Sequence, residues 1–146
     1  MRIVLASASP RRRELLEQAG IDFEILIGST RECITKEEPG EIVEELSLAK
    51  AKGVAEAVTG DAVIIGADTI VAKGNKVLGK PKDAEDAHQM LAMLQGEKHQ
   101  VYTGVTLLQK KGDERIIRSF HERTDVFMTS MSDQEIEAYI ATGEPF

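Results

Sequence analysis

The stretch that most restricts the fold is Ala62-Val63-Ile64-Ile65-Gly66-Ala67, which has no polar side chain and runs straight into Asp68-Thr69. A strand without polar alternation must be covered on both faces, as in the centre of a sheet flanked by helices. The first half of the chain supplies such covers. Arg2 to Ala6 reads as a buried strand by its β-branched and leucine content. A helix follows, with Ser9 as N-cap, Pro10 at the first helical position, Leu15, Leu16 and Ala19 as an apolar stripe, and Gly20 as the stop. Phe23 to Ile27 reads as a second strand and 28–40 as a polar loop. A helix from about Glu41 to Val58 then carries Ile42, Leu46 and Ala49 on one face.

The second half continues the alternation. Ile70 to Ala72 and Lys76 to Leu78 flank Lys73-Gly74-Asn75, a hairpin signal. Gly79-Lys80-Pro81-Lys82 breaks the chain, and Asp83 caps a helix whose Ala87, Met90, Leu91 and Leu94 fall at helical spacing up to Gly96. Two longer strands, about His99 to Gln109 and Arg115 to Met128, are joined by 110–114. Ser132-Asp133-Gln134-Glu135 is a capping box opening a last helix through Ile136, Tyr139 and Ile140. The pattern is that of an α/β domain with a mixed, twisted central sheet between helices. At 146 residues a single domain over 1–146 buries roughly two-thirds of its unfolded surface.

Charge and cysteine usage narrow the function. Lys and Arg number 18 against 25 Asp and Glu, a net charge of −7, which argues against a nucleic-acid surface. An anion site must therefore be a local concentration of basic residues. The lone Cys33 leaves neither a disulfide framework nor a zinc cluster. The apolar run at Ile3 to Ala6 is too short for a secretory signal, and no later run is long enough for a bilayer. The expectation is a cytoplasmic protein with neither a membrane nor a nucleic-acid partner.

Four local constellations bear on chemistry. In Ser7-Ala8-Ser9-Pro10-Arg11-Arg12-Arg13, three arginines stand in the first helical turn, opposing the helix dipole by ~0.3–1 kcal/mol each when exposed. A strand, a turn of small residues and a helix N-terminus form an anion cradle, which guanidinium forks complete for phosphate. The plain structural alternative is a solvated basic patch. Gly66-Ala67-Asp68-Thr69 puts a carboxylate at the expected C-terminal end of the central strand, where open α/β sheets hold ligands. Asp68 there suits a general base or an Mg²⁺ ligand. It suits an acid capping a turn equally well, and the residues alone leave both open.

In Gly79-Lys80-Pro81, proline biases Lys80 towards an extended backbone from which it can reach phosphate, though turn lysines commonly just face water. Lys50, between Ala49 and Ala51, can snorkel inward to an anion, but taken alone reads as solvent-facing. Glu32 is a candidate second metal or water ligand, on a loop where glutamates are usually only solvated. His88, His99 and His121 lack metal-ligand spacing and read as structural. Met90 and Met93 read as packing. Ser7 and Ser9 have no histidine partner, which disfavours a serine nucleophile.

In this order the motifs resemble the Maf family of nucleoside triphosphate pyrophosphatases. The resemblance covers essentially the whole chain: Leu5-Ala6-Ser7-Ala8-Ser9-Pro10-Arg11-Arg12, Leu48-Ala49-Lys50-Ala51, Gly66-Ala67-Asp68-Thr69-Ile70-Val71, Gly79-Lys80-Pro81-Lys82-Asp83, Leu94-Gln95-Gly96, His99-Gln100-Val101-Tyr102-Thr103-Gly104-Val105 and Tyr139-Ile140-Ala141-Thr142-Gly143-Glu144-Pro145. The Ala-Asp-Thr-Ile-Val and His-Gln-Val wording is similar to the dTTP/UTP branch. The resemblance implies a Maf/ITPase-like fold and cleavage of a nucleoside triphosphate into monophosphate and pyrophosphate with a divalent metal, Mg or Mn. It makes Asp68 the proton acceptor and associates Arg11 and Thr69 with substrate choice. It places Ser7, Arg12, Lys50 and Lys80 at the phosphates, with Glu32 and Asp68 as metal ligands. Arg31 precedes Glu32 where the family often has an acid.

Family chains continue past Gly-Glu-Pro into a Gly-Ile-Gln-Gly-like motif whose glutamine contributes to base recognition, and the resemblance implies a domain lacking that C-terminal segment. The implied fold is compatible with a homodimer, without a decisive interface signature. Two other readings stand beside hydrolysis: a nucleotide-binding division regulator without turnover, and a nucleotidyltransferase-like enzyme, which would prefer a glycine-rich first loop.

Overall fold

The computed structural model describes residues 2–28, 34–74, 76–78 and 81–143. In chain order the elements are β1 (Arg2–Leu5), α1 (Pro10–Gln18), β2 (Glu24–Ile25), α2 (Pro39–Ala55), β3 (Ala62–Lys73), β4 (Lys76–Leu78), α3 (Ala84–Leu94), β5 (Lys98–Lys111), β6 (Glu114–Phe127) and α4 (Asp133–Ala141). The sheet runs β2-β1-β3-β5-β6, with β4 paired to β3. β1 lies parallel to both β2 and β3, and β4 antiparallel to β3. This is the mixed α/β architecture that the alternation of elements predicts.

The caps read from sequence form as expected. Ser9 accepts from the Arg12 backbone N–H at the start of α1, and Asp83 accepts from that of Asp86 at the start of α3. Ser132 and Glu135 complete the capping box of α4. Gly20, with φ of 74°, ends α1. The apolar stripe expected on α1 is corrected: no residue of α1 is buried, and Leu15 is 56% exposed.

A larger correction concerns β3. Its expected end at Ala67 is absent; one strand of 12 residues runs on through Asp68 and Thr69 to Lys73. The reason lies in its partners. β1 pairs with Ala62 to Ile65, and β4 pairs again from Val71 to Lys73, so the backbone stays extended across the interval. Asp68 is a mid-strand residue, not a strand end. The connection expected over 110–114 also shortens to Gly112-Asp113, with Gly112 at φ of 58°.

The chain divides into two compact units, one of Met1–Thr69 with Thr103–Glu122, the other of Ile70–Tyr102 with Arg123–Phe146. The first is centred on Val4, Ala51, Val54, Val58, Ala62, Ile64 and Leu108, where α2 lies on the sheet. The second is centred on Ala87 and Leu91 of α3 against Ile136 and Ile140 of α4. Among the described residues no helix is long and apolar enough to cross a membrane.

Candidate active site

Two close backbone approaches assemble the site. A Cβ at Gly66 would sit 2.2 Å from the Ser47 carbonyl oxygen, and one at Gly104 would sit 2.2 Å from that of Val43. Only glycine lets α2 rest directly on β3 and β5 at these points. The Ser47 hydroxyl, fully buried in this contact, lies 2.7 Å from that of Thr106, which is 2.7 Å from Ser119 Oγ. Lys50, one turn on from Ser47, thereby reaches β3, and its Nζ lies 3.4 Å from Asp68 Oδ2. Both side chains are largely withdrawn from water, 28% and 16% exposed. The Thr69 backbone N–H donates to Asp68 Oδ1 at 2.9 Å.

The basic turn meets the same place. Ser7, 7% exposed, accepts from the Ser9 N–H at 3.1 Å and from Arg12 Nη1 at 3.3 Å. Arg12 Nη2 donates to Thr69 Oγ1 at 3.1 Å, and the Thr69 hydroxyl lies 3.1 Å from that of Thr103 on β5. Arg12 is half-buried, and these side-chain contacts go to neutral hydroxyls, not carboxylates. Burial pulls its pKa below the ordinary value, and the charge of nearby Asp68 opposes that shift. An arginine desolvated in this way, with donors to spare, is arranged to receive an anion.

Of the residues expected from sequence, Ser7, Arg12, Lys50, Asp68 and Thr69 thus come together within the first unit. Arg11 does not join them: its side chain stands exposed on α1 with no ion pair to a described residue. Glu32 and Lys80 lie outside the described residues. Lys50, which sequence alone leaves facing solvent, is turned inward because Gly66 admits the helix. Thr103 was missed as a site residue. Its signal was a hydroxyl just before Gly104, one that pairing with Thr69 makes meaningful.

Among the described residues no group of three His, Cys, Asp or Glu side chains is placed to hold a metal ion. Cavities of about 430 and 440 Å³ lie elsewhere, one lined by Lys110 and Arg115 and the other by Lys76 and Lys82; neither includes Asp68.

A family model described as Maf-like protein matches residues 2–146. The dTTP/UTP pyrophosphatase of Agathobacter rectalis is 47% identical over 156 residues, covering 98% of this chain and 76% of its own length. That of Bacillus cytotoxicus is 46% identical over 145 residues, covering 99% and 73%. Among solved structures, the Staphylococcus aureus Ham1 protein matches with a TM-score of 0.55 at 14% identity, over 91% of this chain and 73% of that one. A HAM1 protein from Coxiella burnetii matches at 0.50 and 15%, over 87% and 72%. These two likenesses bear on the fold alone.

Proposed function

The chain belongs to the Maf family, and we propose that it hydrolyses dTTP and UTP to the nucleoside monophosphate and pyrophosphate. The observation that supports this most directly is the contact between Arg12 and Thr69, 57 residues apart in sequence, beside Asp68. It brings a cation without a carboxylate contact next to a sheltered carboxylate, the pairing that a triphosphate and an attacking water require.

In this reading Arg12 and Lys50 receive the phosphate oxygens, and Ser7 and Thr69 hold the Arg12 fork in place. Lys80 and the exposed Arg11 add charge to the nucleotide. Asp68 positions a water and takes its proton as the oxygen attacks the α-phosphorus. The bond from that phosphorus to the bridging oxygen breaks, and pyrophosphate leaves. Lys50 on Oδ2 and the Thr69 N–H on Oδ1 fix the carboxylate plane, so the base does not reorient during the step. Positioning and fixed charge supply most of the acceleration.

The donor set suits Mg²⁺ or Mn²⁺. Mg²⁺ is commonly held by one or two carboxylates together with substrate phosphates, and Asp68 provides one carboxylate with lone pairs to spare. Asp68 and Glu32 would hold the ion. Bound there, it neutralises charge on the phosphates and on the departing pyrophosphate.

The test is incubation with dTTP or UTP and Mg²⁺ at mildly alkaline pH. One monophosphate and one pyrophosphate are expected per triphosphate consumed, with no acceptor present. Binding without monophosphate formation would instead indicate a nucleotide-binding regulator. Pyrophosphate release only with a sugar phosphate present would indicate a nucleotidyltransferase.

A further inference from the structure

Counting hydrogens around Thr69 leaves one donor over. A guanidinium carries donors only, so Thr69 Oγ1 must accept from Arg12 Nη2 at 3.1 Å. The hydroxyls of Thr69 and Thr103, 3.1 Å apart, share one bond in which either can donate. Two hydroxyls bring two hydrogens and their mutual bond uses one; no described residue accepts the other. Its location follows from polarisation. Donation by Arg12 makes Thr69 a better donor, and a head-to-tail chain is favoured over a double acceptor. The chain therefore runs Arg12 to Thr69 to Thr103, and the uncommitted hydrogen is on Thr103.

We propose that Thr103 is a substrate-binding residue: charged at its far end by Arg12, its hydroxyl donates to an oxygen acceptor of the bound nucleotide. The acceptor class is a phosphate oxygen or a pyrimidine carbonyl. Its identification as nucleotide rests on the function proposed above. Thr103 is half-buried and Thr69 exposed, so the pair stands at the margin of the site, within reach of a ligand.

The experiment compares wild type with Thr103→Val, which keeps the β-branched shape and strand preference, and with Thr103→Ser, which restores the hydroxyl. Thr103→Ala serves as a second deletion should the valine variant fold poorly. Affinity is measured by calorimetry for the α,β-methylene analogue of dTTP, which cannot be cut, and for inorganic tripolyphosphate. Thr103→Val is expected to bind the analogue about three- to tenfold more weakly, with Thr103→Ser within about twofold of wild type. A matching loss with tripolyphosphate identifies a phosphate oxygen as acceptor, and a loss confined to the analogue identifies the base carbonyl.

Equal affinity of wild type and both deletion variants overturns the proposal, as does a serine variant as weak as valine. A wild type that binds the analogue but does not hydrolyse dTTP overturns the proposed activity and leaves the Thr103 measurement readable. A wild type that binds neither probe overturns both.

Discussion

Arg12 and Lys110 are both basic residues drawn into the first unit, yet they sit at opposite kinds of helix end. Lys110, 9% exposed, reaches from β5 to the C-terminal end of α2, where Nζ donates to the Ala55 carbonyl at 2.8 Å and to that of Val58. The Ala55 carbonyl belongs to the last turn of α2, at the negative end of its dipole, and also accepts from the Val58 N–H at 3.3 Å; the Val58 carbonyl lies just past the helix end. The cation there is held by two carbonyls at a favourable helix end and is stabilising. Arg12 stands in the first turn of α1, against the dipole, and its side chain donates to hydroxyls. Its field is not cancelled by a carboxylate in contact. Two like charges, one buried and one half-buried, are thereby divided between holding the fold and waiting for an anion.

The largest expected effect lies at the carboxylate beside Arg12. Asp68→Asn should lower kcat by about 10²–10⁴, the usual contribution of a general base, while nucleotide affinity stays within about threefold. Equal loss of turnover and binding would count against the base role. Next comes the contrast itself. Arg12→Ala should reduce kcat/KM for dTTP about 10- to 100-fold, as loss of a charged hydrogen bond does, without lowering the midpoint of urea unfolding.

Lys110→Met should do the reverse. Removing the charged donor shared by the carbonyls of Ala55 and Val58 should lower unfolding stability by about 1–3 kcal/mol, with kcat/KM per folded molecule within about twofold. If Arg12→Ala unfolds the protein and Lys110→Met abolishes turnover, the division drawn here is backwards.

The smallest effect carries the contrast to the second unit. His99 is 6% exposed, and its Nδ1 has no hydrogen-bond partner among the described residues. Burial, and then the charge of Lys73, pull its pKa below the ordinary value. The folded state resists a proton that the unfolded chain accepts near pH 6.5. Its contribution is therefore complete above about pH 6.5 and declines as pH falls from there through the folded value. Urea unfolding at pH 7.5 and 5.5 should show the loss, and His99→Gln should flatten it. An unchanged slope in that variant would assign the pH dependence to other groups.

Local rules made much of this legible from sequence. The caps at Ser9, Asp83 and Ser132 and the stop at Gly20 depend on one or two neighbouring residues, and they formed where expected. Arg12 was conspicuous because a basic residue in a first helical turn works against stability. Lys110 was not, since nothing near it in sequence reveals that the end of α2 lies opposite. The continuation of β3 through Asp68 was also hidden. It depends on β1 pairing before that residue and β4 after it, and partners distant along the chain leave no mark in the window around Asp68.

By itself the sequence determined the alternation of elements, the covered central strand and the family, because apolar periodicity, capping chemistry and ordered motifs are properties of neighbouring residues. Only the tertiary structure decided that Lys50 turns towards Asp68, that Thr103 joins Thr69, and that the Arg11 side chain stands exposed on α1. Those outcomes hang on how closely two backbones approach at Gly66 and Gly104 and on which way a helix face is turned. Such distances arise from packing the whole unit, and no local stretch of chain encodes them.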